Sequence, residues 1–329
     1  MKRVGIVGCG CISSTHGWAL SHMDNVQITA VADIDSERAM KFSQDFTNGA
    51  ARVFQNYEEM LEKAELDVVH ICTPHNLHAP MSISAMEKGI SVFSEKPPAI
   101  SMKEFEKIRA ASVRNNTRIG FCFQNRYNKT IEETDALISG GTLGNVVAAR
   151  AFVTWRRDEE YYNTPWKGKI ETSGGGALIN QSIHTLDLLL RYFDEPVTVK
   201  ASMSNHHLQD IIEVEDTVEA WMEFQGDRRA CFYASTAYAS DAPVILEFQC
   251  EKGSITIIDK VITVKDETGR QSTIVCEEPL GIGKSYWGSG HLSCIRDFYN
   301  KLDTGEPYQN DWYGVRKTMN TMMRIYDFR

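Results

Sequence analysis

From Val4 to Phe123 the chain alternates short, largely apolar runs with longer amphipathic ones. Val4 to Val7 ends at Gly8, Val26 to Ala32 ends at Asp33, and Leu66 to Cys72 ends at Thr73-Pro74. Val53-Phe54, Ser91 to Ser94 and Arg118 to Phe123 follow the same rule. Runs that are apolar at successive positions, rather than at every second one, suit strands covered on both faces. Between them the spacing predicts helices over Ser13–His22, Ser36–Phe46 (with Ser36 as N-cap), Tyr57–Ala64, Ala79–Lys88 and Met102–Asn115. Regular alternation of this kind implies a parallel sheet with helices on both faces.

Beyond Phe123 the rhythm changes. A helix over Lys129–Ser139 and a strand over Asn145–Thr154 precede a glycine-rich loop. One long helix follows, on the apolar stripe Ile179, Ile183, Leu186, Leu190 and Phe193. Strands are then expected near 197–205, 215–225, 228–237, 244–250, 254–258 and 261–265, punctuated by Gln225-Gly226-Asp227 and Lys252-Gly253, and the last stretch is helical again. Consecutive strands joined by tight turns mean antiparallel pairing. The expected architecture is a doubly wound α/β domain over 1–123 and an α+β domain over 124–329. The second carries a large, open, mostly antiparallel sheet, suited to substrate binding and to self-association as a homodimer or homotetramer.

Composition narrows the class. The 329 residues carry 35 Lys plus Arg against 44 Asp plus Glu, a net charge of −9, which argues against a nucleic-acid partner or an anionic membrane surface. The run from Val4 to Val7 is too short for a signal-peptide core, and no segment reaches membrane-spanning length. Eight cysteines are scattered without a C-x-x-C pair, so free thiols in a reducing cytoplasm and no metal site are expected.

Three motifs carry chemistry. Gly8-Cys9-Gly10-Cys11-Ile12-Ser13 lies between the first strand and first helix. Gly8 permits the tight turn, and Gly10 lets backbone approach a pyrophosphate at a helix N-terminus. Asp33 ends the second strand about 25 positions beyond Gly8, near the roughly 20 usual for the acid that bonds the adenosine ribose. Such a carboxylate repels a 2′-phosphate, so NAD is favoured over NADP, with Arg38 pointing the other way. Next, Cys72, Thr73, Pro74, His75 and His78 follow a buried strand, where ligands of open α/β sheets bind. Each of them serves equally well as turn or capping chemistry. Third, Ser94-Glu95-Lys96-Pro97-Pro98 places Lys96 at the same edge, beside Glu95. An ammonium there can bond a reacting hydroxyl and stabilise the developing alkoxide, and a cis Lys96-Pro97 bond would aim it back into the cleft. The competing reading is a solvated lysine paired with Glu95.

The glycines Gly174, Gly175 and Gly176 feed the long helix. There Asn180, His184 and Asp187 fall on one face at α-helical spacing. His184 is the candidate base for a hydroxyl proton, because an imidazole titrates near working pH. Asn180 is a substrate contact, whereas Asp187 and Arg191 read as an ordinary exposed i, i+4 pair. Arg126 and Tyr127, at the expected domain junction, either touch substrate or form a hinge. Trp155, Trp166 and Lys167 precede the glycines, and Trp166 in particular can wall a pocket.

In this order, Gly8-x-Gly10, Asp33, Cys72-Thr73-Pro74, Glu95-Lys96-Pro97 and Gly174-Gly175-Gly176 with His184-Thr185-Leu186-Asp187 resemble the glucose–fructose oxidoreductase/inositol dehydrogenase (Gfo/Idh/MocA) family. The resemblance runs to the closing stretch His291–Phe328, with Asp297-Phe298 and Thr304-Gly305-Glu306-Pro307. It implies a Rossmann domain binding NAD(P) and a C-terminal domain whose open sheet serves oligomerisation. It also implies Lys96 as the active-site lysine and His184 as the acid/base. Many inositol and polyol dehydrogenases of the family have Asp where this chain has Asn180. Asn180-Gln181 before Ile183-His184 is similar instead to members that oxidise the 3-hydroxyl of a hexose unit, nucleotide-activated sugars included. The expected activity is hydride transfer between NAD and a secondary hydroxyl of a sugar, sugar derivative or polyol. The competing readings are an NAD-dependent glycosidase acting by transient oxidation and a non-catalytic dinucleotide-binding regulator; a regulator needs neither Lys96 nor His184.

Overall fold

The computed structural model describes residues 1–277 and 289–329, which divide into two compact units. The first takes Met1–Tyr127 and the described chain from 289 to Val315. Its elements run β1 (Lys2–Val7), α1 (Ser13–Ser21), β2 (Val26–Ala32), α2 (Ser36–Thr47), β3 (Arg52–Phe54), α3 (Tyr57–Lys63), β4 (Val68–Ile71), α4 (His75–Glu87), β5 (Ser91–Ser94), α5 (Met102–Arg114) and β6 (Ile119–Phe121). The strands pair in parallel in the order β3-β2-β1-β4-β5-β6. Winding reverses between β1 and β4, so the carboxyl ends of these two strands flank the crevice where such sheets take ligands. The continuous apolar runs have their expected cause: Val4, Ile6, Val31, Val68, Val92 and Phe93 are all fully buried.

Two local expectations are corrected. The N-cap of α2 is Asp35, whose carboxylate accepts from the Glu37 and Arg38 amides. Ser36 already has helical backbone and cannot cap. Helix α4 starts at His75, four residues early, and runs through Pro80, which lacks the N–H that would bond the Asn76 carbonyl.

The chain from 289 onward completes this unit. Helix α10 (His291–Thr304) puts Cys294, Ile295, Phe298 and Tyr299 into the same apolar cluster as Val4, Ile6, Leu20 and Phe93.

The second unit comprises the chain from Asn128 to residue 277 and Arg316–Arg329. It contains α6 (Lys129–Ser139), β7 (Val146–Thr154), α7 (Glu159–Tyr162), α8 (Ile170–Ser173) and α9 (Ile183–Leu189). The strands β8 (Thr198–Ser204), β9 (Thr217–Glu223), β10 (Arg229–Ser235), β11 (Ile245–Cys250), β12 (Gly253–Ile258), β13 (Val261–Asp266) and β14 (Gln271–Val275) follow. The last helix, α11 (Trp312–Tyr326), contains the division between the units. The sheet order is β14-β13-β12-β11-β7-β10-β9-β8, antiparallel except where β10 runs parallel to β7. Alternation along β9 shows its two faces: Val218, Ala220 and Met222 are buried, while Glu219 and Trp221 are exposed.

The short helices α7 and α8 and the edge strand β14 are not anticipated by the pattern. Strand β14 is almost wholly exposed, so it carries no core-facing stripe to read. Among the described residues no helix is long and apolar enough to cross a membrane. None of the eight cysteines forms a disulfide.

Candidate active site

At the end of β1, Gly8 has φ +87°, and a Cβ there would lie 2.7 Å from the Cys72 carbonyl oxygen, so only glycine fits. A Cβ on Gly10 would meet nothing within 4 Å: the space before this loop is open. Ser13, in the third glycine's place, donates through Oγ to the Gly10 carbonyl at 2.6 Å and ties the loop to the start of α1. The Asp33 carboxylate accepts from the Cys9 amide at 2.6 Å and from the Asp35 amide at 2.8 Å. Arg38 pairs with Asp35 at 3.1 Å, which balances the cation expected to welcome a 2′-phosphate. Burial, with Asp33 beside it, pushes the Cys9 thiol up to about 12, and Cys11 is exposed. An open loop at a helix N-terminus with a carboxylate beside it fits the pyrophosphate and ribose of a dinucleotide.

The adjoining edge is built from the ends of β4 and β5. Cys72 is buried, and burial with the nearby Glu95 charge pushes its thiol well up. Thr73 and Pro74 are partly exposed, whereas His75 and His78 are buried within α4. His78 spans two carbonyls, Thr73 O from Nε2 and Pro97 O from Nδ1, both at 2.7 Å. Burial drives its pKa down, although both carbonyls pull it up. Expected as a cofactor contact, this imidazole ties the end of β4 to the loop after Lys96. The Lys96–Pro97 bond is cis. Lys96 is partly exposed; burial lowers its pKa, while Glu95 and Cys122 oppose the shift.

Glu95 turns inward. Its Oε2 accepts the Lys96 amide at 3.2 Å and its Oε1 meets His16 Nε2 at 3.0 Å. Burial alone would raise this carboxyl, but the His16 hydrogen bond and the charges of His16, His291 and Lys96 hold it well below the usual carboxylate range. Behind His16 the polar chain continues: His16 Nδ1 lies 2.8 Å from His70 Nδ1, and His70 Nε2 lies 3.0 Å from the Tyr299 hydroxyl. His16, His70 and Tyr299 are fully buried. Cys122 joins at the other side, where His16, Glu95 and Cys122 bring one ligand-type atom each within 4.8 Å of one another. Sequence reasoning missed this assembly. Its one visible signal is a histidine inside the apolar strand Val68-Val69-His70-Ile71.

In the second unit the glycine run leads into a π-helical turn, Ala177–Ser182, and only then into α9. This corrects the single long helix. The glycines are there for backbone: a Cβ on Gly175 would strike the Tyr326 hydroxyl, and one on Gly176 the Glu215 carbonyl. The turn is held by Glu215, which is buried. Its carboxylate accepts the Leu178 amide at 3.1 Å and the Tyr326 hydroxyl at 2.8 Å, favourable partners at a helix start. Ser182 Oγ donates to the Ala177 carbonyl at 2.7 Å, five residues back, as the wider π turn requires. The α-helical spacing used to align Asn180, His184 and Asp187 therefore fails across Ser182. Asn180 and His184 stay partly exposed, but Asp187 is buried and accepts from the Thr318 hydroxyl at 2.6 Å. Arg191 bonds Asp135 at 2.7 and 2.6 Å. The expected exposed Asp187–Arg191 pair is thus replaced by two long-range partners.

Around Asn180 lies a set the pattern did not show. Tyr161 on α7 accepts from Gln181 Nε2 at 2.6 Å and from Asn180 Nδ2 at 3.5 Å. Arg157 donates to Gln181 Oε1 at 3.1 Å and to Asp241 at 2.9 Å, with its guanidinium 5.1 Å from the Trp155 ring centre. Lys167 Nζ sits 3.8 Å over the Tyr161 ring. Trp166, partly exposed, offers its carbonyl to Thr172 at 2.6 Å. Aromatic faces with pinned amides and cations suit a hydroxyl-rich ligand. Arg126 and Tyr127 belong to the first unit. Arg126 donates to Gln309 O at 2.7 Å and Gly314 O at 3.0 Å, and Tyr127 donates to Asp297 at 2.8 Å. Both hold the returning segment of that unit.

Comparison with known proteins identifies the family. The model of the oxidoreductase family with an NAD-binding Rossmann fold (GFO_IDH_MocA) matches residues 2–122, and that of the GFO/IDH/MocA C-terminal domain matches residues 131–256. Glucose-6-phosphate 3-dehydrogenase of Bacillus subtilis is 27% identical over 220 residues, 63% of this chain and 59% of that protein. D-glucoside 3-dehydrogenase of Escherichia coli is 26% identical over 64% of this chain and 58% of its own. The alignments thus span somewhat under two thirds of these two relatives. Among solved structures, the WlbA dehydrogenase of Bordetella pertussis in complex with NADH and UDP-GlcNAcA superposes with a TM-score of 0.83. It is 26% identical and covers 99% of this chain and 95% of that one.

Proposed function

Because the chain belongs to the Gfo/Idh/MocA oxidoreductase family, we propose that it is an NAD-dependent dehydrogenase that oxidises a secondary hydroxyl of a sugar or sugar derivative. The observation that carries this reading is that Lys96 follows β5 at the same carboxyl edge of the parallel sheet that carries the open Gly10 loop and Asp33. Gly8 to Ile12 would hold the pyrophosphate and Asp33 the adenosine ribose, with Cys72 to Pro74 along the same edge. When bound there, NAD would supply the hydride acceptor. Lys96 donates a hydrogen bond to the reacting oxygen and stabilises its negative charge as the hydride departs. His184 takes the hydroxyl proton. Asn180 bonds a neighbouring hydroxyl, and Trp166 supplies an apolar wall. The names of the relatives, with substrates that include a sugar phosphate, a glucoside and a nucleotide sugar acid, support a hexose-like substrate. Eight free cysteines favour a reducing cytoplasm. The open face of the second sheet, with Trp221 exposed, favours a homo-oligomer.

The test is to mix the purified chain with NAD and a panel of hexoses, hexose phosphates, glycosides, inositols and nucleotide sugars, following reduced-nicotinamide absorbance. A rise with one substrate class is expected. Binding of NAD without any rise across the panel overturns the dehydrogenase reading.

A further inference from the structure

The buried polar chain behind Lys96 is not required by the fold. Three uncharged apolar side chains would fill the same core without the cost of burying two imidazoles and a phenol. Its geometry has a particular property. With His16 as an imidazolium, Nε2–H donates to Glu95, Nδ1–H donates to His70 Nδ1, and His70 Nε2–H donates to the Tyr299 oxygen. With His16 neutral, Nε2–H still donates to Glu95. Now His16 Nδ1 accepts from His70 Nδ1–H, and His70 Nε2 accepts from the Tyr299 hydroxyl. Both arrangements satisfy every ring nitrogen at the observed distances of 3.0, 2.8 and 3.0 Å. They differ by one proton and no heavy atom need move. In both, Glu95 receives a hydrogen bond from His16 and accepts the Lys96 amide.

We infer that Glu95 is a positioning residue for Lys96, and that the His16–His70–Tyr299 chain serves to hold the Glu95 carboxylate charged beneath it. The inference rests on the role proposed for Lys96 above. The groups that face Glu95 are His16 on α1, His70 and Cys72 at β4, His78 on α4, Lys96, Cys122 after β6 and His291 on α10. Burial holds both thiols protonated and drives His70, His78 and His291 toward neutrality, leaving Glu95 the one carboxylate of the set. Lys96 lies in a place where burial favours its neutral form, and Glu95 is the first opposing charge. A neutral amine could not stabilise an alkoxide by charge. The carboxylate therefore extends the pH range over which Lys96 works.

The experiment follows Lys96 directly in the full chain, by NMR of protein carrying 13C-labelled lysine, with the Lys96 signal identified by its loss in Lys96→Arg. Glu95→Gln should lower the Lys96 titration midpoint by about one pH unit or more. It should move the basic limb of the kcat profile down by the same amount, and Glu95→Asp should restore most of both. His16→Phe removes the Nε2–H donor that holds the buried Glu95 carboxylate charged. It should shift the midpoint in the same direction by less, which keeps the test available if Glu95→Gln does not fold. A Lys96 midpoint that stays in place in both folded variants overturns the inference. Failure of the functional reading looks different: Lys96→Met would then retain turnover, whatever the NMR titration shows.

Discussion

The Asp33 carboxylate accepts the Cys9 amide at 2.6 Å, which locks the end of β2 to the glycine loop at the end of β1. The same carboxylate is the group proposed to bond the adenosine ribose, so on that proposal loop geometry and cofactor choice depend on one side chain. Asp33→Asn keeps an acceptor for Cys9 and removes the charge. The preference for NAD over NADP should fall about tenfold or more, close to 1.4 kcal/mol. Steady-state constants for both cofactors check it; an unchanged ratio would place discrimination elsewhere.

Lys96→Met should reduce turnover by about 10²–10⁴-fold, the usual range for losing a charge or proton-transfer group at the reacting oxygen. NAD affinity, followed by fluorescence titration, should change by no more than a few-fold. His184→Ala should cost a similar factor and flatten the acid limb of the kcat profile. Retention of that limb would show that another group takes the proton.

Glu215 is buried and satisfies the Leu178 amide, the Tyr326 hydroxyl and Arg329 together. Glu215→Ala leaves these donors without their acceptor at the start of the π turn. It should cost about 3 kcal/mol, from an expected 1–3 per orphaned buried group with some relaxation. Urea unfolding measures the loss directly, and a change below about 0.5 kcal/mol would mean that water replaces the carboxylate.

His291 is buried, and burial lowers its pKa from 6.5 to about 4, with Glu95 opposing and His16 and Lys96 assisting. Between these values the unfolded chain binds the extra proton and the folded chain does not. Stability is therefore fully present above pH 6.5 and falls as the pH drops toward 4, by at most about 3 kcal/mol from this group. His291→Gln should flatten unfolding free energy against pH across that window. An identical slope in the variant would assign the acid loss to other groups.

The legibility of the chain varies with the physics of each segment. Strands covered on both faces are apolar at most positions, so β2 and β5 could be bounded from their apolar runs and the residues that flank them. Asp33 and Lys96 were legible because each directly ends or follows such a strand. Edge strand β14 has no core face and left no signal. The start of α4 was masked by Pro80, which the helix carries in its second turn despite the missing N–H. The π turn arises because the backbone at Gly175 and Gly176 presses on Tyr326 and Glu215, contacts that no local periodicity encodes.

By itself the sequence determined the two architectures, the dinucleotide loop and the positions of Lys96 and His184 along the chain, because these follow from local periodicity and from what a strand end or helix start demands. Only the tertiary structure decided that Glu95 faces inward, that His16, His70 and Tyr299 form one hydrogen-bonded chain, and that Arg191 bonds Asp135 rather than Asp187. Those partners are separated by tens to hundreds of residues. Each side chain alone fits a solvated or capping role equally well, and it is the shared burial of the polar groups that forces them to find one another.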